Sequence, residues 1–355
     1  MGRDCNMALL WADGFEHYGS GSSGATNLAN VYTVEAGCTP EVTKPRTGDY
    51  SIKFTGHGYG IGRFFPSAKS TVGVGASFWF TSVNRVIGLM TFTDSNGAYQ
   101  CTIQNNADGS ISVVRGDLNG TELGKSSSGL ITAGNWISVN VWFIASSTAN
   151  ATDGTVIVRV GGVNGTTLTC SNVDNLATSV LSVSAVSFLG IGLAENQNCY
   201  VDDIFANDAT GSYNNTIMDA YRAYPIFPNA DTAGNDFVPS SGAGYDNLNA
   251  VPPTDGTYYI QSNAVSDVSD FGLEDPSYAL DDIVGIDVYS RMLTSGSGTI
   301  RVSAVDGGSV TAGSSHSLSS SGAYYHDVFE RDPNGNAEWT YASVGTSKIR
   351  FTRTA

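Results

Sequence analysis

Short runs in which apolar and polar residues alternate dominate the first half of the chain, and helical periodicity is nearly absent. YSIKFTG, ASFWFTS, YQCTIQNN, SISVVRG, WISVNVWFIA, TVIVRVGG, LTCSNV and VSFLGIGL each fit a half-buried β-strand. Between several of them fall the pairs Asn96-Gly97, Asp108-Gly109, Asn119-Gly120, Asp153-Gly154 and Asn164-Gly165. Asn and Asp tolerate left-handed backbone angles and Gly adopts them freely, as tight hairpins require. Regular strand–turn spacing predicts an antiparallel sandwich.

The rhythm breaks after YVDDIFAND. TIMDAYRAYPIFPNAD has room for one helical turn, which Pro225 and Pro228 would end. The pattern therefore predicts an all-β chain with a sandwich over 1–210, a linker with a short helical turn over 211–228, and a smaller β-domain over 229–355. In that last region TYYIQS, IVGIDVYSRML, GTIRVSAVD, YYHDVFE, EWTYASV and KIRFTR read as strands. The stretch GHGYGIGRFF reads as a strand with Gly56, Gly58, Gly60 and Gly62 on a bare face. It lacks the GxGxxG-then-helix order of a dinucleotide loop.

Charge narrows the function classes. The chain has 355 residues, a balance of 17 basic against 33 acidic side chains, and a net charge of −16. With so few cations to displace counterions from phosphates, no nucleic-acid partner is expected, and anionic membranes are disfavoured by the same sign. The opening MGRDCNMALLW holds no apolar run of signal-peptide length, and no segment approaches the ~20 residues of a membrane span. Five scattered cysteines without a CxxC pair give the expectation of buried thiols, with no zinc site and no disulfide framework.

Candidate chemistry starts in MALLWADGFEHYG, where Asp13, Glu16 and His17 lie close in sequence. On a strand Leu9, Trp11, Asp13 and Phe15 share one side, so Glu16 and His17 point apart while the strand lasts. No HExxH partner pattern accompanies them. Asp202-Asp203 is the most tempting carboxylate pair, yet neighbours on a strand face opposite sides and do not make a proton-sharing dyad. Calcium is the competing reading for Asp13, Asp202, Asp203 and Asp208, against a structural role, and no DxDxDG loop is present. None of the glutamates forms an ExDxE or ExDxxE pattern, and neither a GxSxG elbow nor a local triad motif appears, so no catalytic residue is expected. Trp79, Trp136 and Trp142 read as core, whereas Tyr18, Tyr59, Tyr245 and Tyr324 read as surface contacts for a glycan.

GDYSIKFTG, GASFWF, TIQNNADGSISVVRG, SSGLITAGNWISVNVWF, DGTVIVRVGG and NCYVDDIFAND follow one another in an order that resembles the concanavalin A-like (laminin-G-like) jelly-roll sandwiches. In that fold the first and last strands are neighbours, which would place LWADGFEHYG beside YVDDIFAND. LLWADGFEHYG, YVDDI and the following PNAD also resemble virion structural proteins of tailed bacteriophages. NDATGSYNNTIMDAYRAYP departs from that pattern, which expects a GDxxV strand there. This second resemblance implies a non-enzymatic virion protein without a cofactor, assembled in the host cytoplasm with other virion proteins as a symmetric oligomer such as a trimer. A tail appendage or fibre-type adhesin touching a host-surface glycan is the first expectation. A capsid decoration or head-fibre protein is the alternative, and a free carbohydrate-binding or carbohydrate-active protein is the third.

Overall fold

The computed structural model describes residues 8–34, 37–56, 58, 60–162, 164–189, 192–193, 197–232, 234–253, 256–276 and 282–355. The chain divides into two compact units, Met1–Ala223 and Tyr224–Ala355.

The first unit is built from β1 (Leu9–Asp13), α1 (Gly21–Leu28), β2 (Thr33–Val34), β3 (Cys38–Glu41), β4 (Ser51–Thr55), β5 (Gly60–Lys69), β6 (Thr71–Phe80) and β7 (Ile87–Thr93). It continues through β8 (Tyr99–Asn105), β9 (Ile111–Arg115), β10 (Thr121–Lys125), β11 (Ile137–Ile144), β12 (Gly154–Val160), β13 (Thr166–Val173), β14 (Val183–Leu189) and β15 (Asn198–Asp208). One sheet runs β13-β12-β11-β6-β15-β4-β3, with β1 added to β15; the other runs β10-β9-β8-β7-β14-β5-β2. Their inner faces bury Phe54, Phe78, Phe80, Phe92, Phe143 and Phe188 completely in one core. Two antiparallel sheets sharing such a core make a lectin-like jelly-roll sandwich.

The alternation in β1 follows the sequence reading. Leu9, Trp11 and Asp13 are buried in turn, and Asp13 pairs with Ile204 of β15 in an antiparallel register. The closing strand is thus shared. β4 pairs with its first half, at Asn198–Val201, and β1 with its second. Between the halves the register against β6 shifts after Asp202, and Asp203 takes φ 51°. This β-bulge lets one edge of β15 serve two partners.

Four elements depart from expectation, one of them EWTYASV, read as a strand, where the Thr340 hydroxyl caps a helix at Tyr341–Thr346. GHGYGIGRFF is no single strand: Gly56 and Gly58 take positive φ before β5 opens at Gly60. The Gly/Ser-rich stretch after Tyr18, where the lack of helical periodicity predicts no helix, forms α1, whose Leu28 is wholly buried. Gly24 is needed there, since a Cβ would lie 2.3 Å from the Gly19 carbonyl oxygen. No helical turn forms in 211–228; residues 210–223 run as an irregular strap whose contacts are described below.

In the second unit five antiparallel strands form one sheet, ordered Pro228–Asp231, Val268–Leu273, Lys348–Arg353, Thr299–Asp306 and Ser309–Ser317. A two-stranded ribbon, Ile286–Met292 with Ala323–Phe329, contributes Val288 and Met292 to a core of Phe237, Phe271, Ile300, Val302, Ile349 and Phe351. Among the described residues no helix is long and apolar enough to cross a membrane.

Candidate functional site

The acidic residues of the opening and closing strands are spent on holding the chain. Asp13 accepts hydrogen bonds from the Phe15 N–H at 2.7 Å, the Tyr18 hydroxyl at 2.8 Å and the Tyr32 hydroxyl at 2.7 Å. The Arg63 guanidinium lies 4.0 Å away, between the Trp11 and Tyr32 rings. Trp11, Asp13, Tyr18, Tyr32 and Arg63 are all buried. A charged pair inside an apolar core persists only with such added donors.

Glu16 and the Asp202-Asp203 pair converge on the β3–β4 connection. The two Glu16 oxygens accept from the Asp49 and Tyr50 N–H groups at 3.0 and 3.1 Å. Asp202 Oδ2 accepts from the N–H groups of Arg46 at 2.7 Å and Thr47 at 3.1 Å. Asp203 takes the Arg46 guanidinium at 2.5 Å, the Thr47 hydroxyl at 3.1 Å and the Ala223 N–H at 2.9 Å. The expectation that neighbouring carboxylates diverge is therefore corrected, because the bulge at Asp203 breaks the strand alternation and turns both groups to one loop.

Burial raises the Glu16 carboxyl to about 7, against the lowering effect of its two backbone donors. Burial, then the charge of Asp203, lifts Asp202 well above the carboxylate range; burial also raises Asp203 against the pull of Arg46.

Asp208 binds the Lys69 ammonium at 2.6 Å and the Thr210 N–H at 2.8 Å. All four calcium candidates thus serve protein donors, and among the described residues no group of three or more His, Cys, Asp or Glu could hold a metal ion. His17 is half-buried, its ring 3.9 Å from that of Tyr18. Cys38, Cys101, Cys170 and Cys199 are buried free thiols.

The tyrosine expectations divide. Tyr18 is wholly buried and is corrected from surface contact to core group. Tyr245 packs half-buried against the core of the second unit, and Tyr324 lies half-buried beside the Arg291 guanidinium. Tyr59 lies outside the described residues. Trp79 is corrected as well: it alternates with inward Phe78 and Phe80 and projects outward, half-buried; Trp142 alternates likewise with inward Val141 and Phe143 but is buried on that outer face. Trp79 meets Lys44 at 4.9 Å and the edge of Tyr200.

What sequence reasoning missed is the outer face of the seven-stranded sheet. Pairing across strands places Phe64, Ala185, Thr93 and Tyr99 in one row. The next row is Gly62, Ser187, Thr91, Thr102, Val114 and Glu122. A third holds Gly88, Gln104, Ser112 and Lys125. Directly opposed residues share a face, so each row points one way. The floor is small or hydroxylic, with Thr91 and Thr102 oxygens 3.1 Å apart, while Phe64 is 68% and Tyr99 41% exposed. Ser112 donates to exposed Glu122 at 2.8 Å; buried Gln104 donates to Asn106 at 3.2 Å, and its Oε1 has no hydrogen-bond partner. The only sequence signal was the polar half of YQCTIQNN and SISVVRG.

No known protein family matches the sequence, and no curated protein matches it. Solved structures do. An alginate lyase from Aplysia kurodai aligns at 12% identity over 56% of this chain and 98% of its own, with a TM-score of 0.41. An alginate lyase from a Chlorella virus aligns at 12% identity over 52% and 95%, TM-score 0.37. A legume lectin-like domain from Entamoeba histolytica aligns at 12% identity over 52% and 92%, TM-score 0.34. These are likenesses of fold. They correct one expectation: the missing catalytic signature implies a non-enzyme, yet two of these three similar structures are enzymes. The fold hosts both binding and turnover, and it assigns neither to this chain.

Proposed function

We propose that the first unit binds an uncharged glycan on the outer face of its seven-stranded sheet, and that the chain is a surface-exposed virion component of a tailed bacteriophage, in the manner of a tail appendage or fibre adhesin. The observation that carries the glycan reading is Gln104 Oε1, a buried acceptor without a partner, in a row with Ser112 and Lys125 two rows away from exposed Phe64 and Tyr99 on the same face. A buried polar atom left unmatched costs about 1–3 kcal/mol, which a ligand hydroxyl would recover. The apolar faces of sugar rings pack on rings such as Phe64 and Tyr99, and their hydroxyls match Gln104 and Glu122. Glu122 and the net charge of −16 disfavour an anionic sugar.

The virion reading is supported by the order of LLWADGFEHYG, YVDDI and PNAD in the sequence. Oligomerisation with copies or other virion proteins has a physical motive in the sheet edges β13, β3, β10 and β2, which offer unpaired backbone groups to a neighbour.

A printed array of bacterial oligosaccharides tests the glycan reading. The full chain is expected to bind uncharged members, and Gln104→Ala or Phe64→Ala to weaken binding at least tenfold while the unfolding transition stays within a few degrees. Binding indifferent to both substitutions would reject this face. Sedimentation and particle labelling test the remainder: a monomer at assembly-like concentration, or a particle without the antigen, counts against it.

A further inference from the structure

We propose that residues 210–223 form a displaceable strap over a second glycan-binding face, on the outer side of the eight-stranded sheet, with Asn140 as its central hydrogen-bonding group. The inference is independent of the first face, since it concerns the opposite sheet.

Cross-strand pairing sets Phe205, Gly75, Asn140 and Arg159 in one row. Val139 and Val141 point into the core, so this row points out. At one end Phe205 meets the Tyr221 ring edge-on, and at the other Arg159 is ion-paired with Asp219. Both partners belong to the strap, which therefore crosses above Asn140. Asn140 is 1% exposed, and neither its Nδ2 nor its Oδ1 has a hydrogen-bond partner. A side-chain amide desolvated at both ends is a liability in any closed structure. Leu at this place would fill similar volume without that cost.

The adjoining row explains what would bind. Asn207, Gly73 and Trp142 lie side by side, and a Cβ on Gly73 would sit 2.8 Å from the indole, so the ring lies flat across the glycine. Asn207 Nδ2 donates to the backbone carbonyls of Asn214 and Thr216, both in the strap, the latter at 2.7 Å. Strap oxygens thus occupy the amide and guanidinium donors that sugar hydroxyls or a sugar carboxylate would otherwise take, while both polar ends of Asn140 and the Oδ1 of Asn207 are left unmatched. An indole beside two amides and an arginine is a set that recognises a pyranose. The strap has one buried apolar side chain among the described residues, Met218, and is otherwise held by polar and ring contacts: the Ala223 N–H on Asp203, Arg46 on the Tyr221 carbonyl, Asn207 on Asn214 and Thr216, Tyr221 on Phe205, and Arg159 with Asp219. Polar contacts of this kind can be exchanged for water or ligand hydroxyls, so the segment opens more readily than one held by a buried apolar face.

The test uses the full chain with Glu122→Gln and Phe64→Ala, so that the first face is silent. Adding Asp219→Ala is expected to raise the signal on an array of neutral and uronate-bearing oligosaccharides at least tenfold, and to speed amide hydrogen exchange in 210–223. Adding Asn140→Leu is then expected to abolish the gained signal while raising the thermal midpoint by several degrees. Met218→Ala loosens the strap by a second route, should Asp219→Ala fold poorly. No gain in signal from either release, or a gain that survives Asn140→Leu, overturns the proposal.

Discussion

Replacing Asp13 by Ala is expected to lower the stability of the first unit by about 3–5 kcal/mol, the cost of breaking a buried charge pair from one side. The substitution removes the carboxylate 4.0 Å from the Arg63 guanidinium and, with it, the acceptor of the Tyr18 and Tyr32 hydroxyls and the Phe15 N–H. These groups lie beneath the core-facing rings of the sandwich, where water does not reach them in the folded state. Urea unfolding followed by tryptophan fluorescence reads the effect, because Trp11, Trp79, Trp136 and Trp142 all lie in this unit. Asp13→Ala combined with Arg63→Met is expected to cost less than the sum of the two single changes, since the stranded charge is gone. A loss under about 1 kcal/mol for Asp13→Ala would mean that the cluster is not what fixes the opening strand.

The same cluster shows how far the sequence can be read. Alternation located most strands, and it placed Leu9, Trp11 and Asp13 on one buried face. It did not find β7, because the bulge between Gly88 and Met90 turns Leu89 and its neighbour Met90 both to the core and so breaks the alternation of IGLMTFT. Nor did it find α1, where GSSGATNL offers only Ala25 and Leu28 as apolar contacts. The roles of Asp202 and Asp203 depended on a bulge, where a single residue in the left-handed region at Asp203 reverses the facing that strict alternation dictates, and Glu16 lies past the end of β1, after Phe15 at φ 67°. Trp142 and Asn140 illustrate the opposite limit. Their alternation was plain in WISVNVWFIA, but which face looks inward is set by the packing of the second sheet on Val139, Val141 and Phe143. Both candidate glycan faces arise from rows across strands far apart in sequence, and no local motif encodes such a row.

Stability of the first unit is expected to be greatest near pH 5 and to fall as the pH rises to 8. Glu16 has its carboxyl raised from 4.5 to about 7 by burial, with the charges of Asp49 and Asp13 adding to the rise. A raised acid binds its proton more tightly in the folded chain than in the unfolded one. Between about 4.5 and 7 the folded state therefore carries more protons, and each step up in pH favours unfolding until the group is ionised in both states. Solvent screening keeps the contribution to at most about 3 kcal/mol, and the raised Asp202-Asp203 pair acts in the same direction. Below pH 4 the opposite group takes over: Asp94, lowered by the Ala98 and Asn96 N–H groups and the Thr178 hydroxyl against its burial, loses those bonds on protonation. Glu16→Gln separates the contributions. Its amide keeps one acceptor for the Asp49 or Tyr50 N–H but turns a donor to the other, so the variant is expected to be weaker than the parent at pH 5. Its decline toward pH 8 should be visibly shallower, leaving only the aspartate pair. Thermal midpoints at half-unit steps from pH 4 to 8 measure both slopes, and equal slopes in the two proteins would show that Glu16 ionises in the folded chain as it does in the unfolded one.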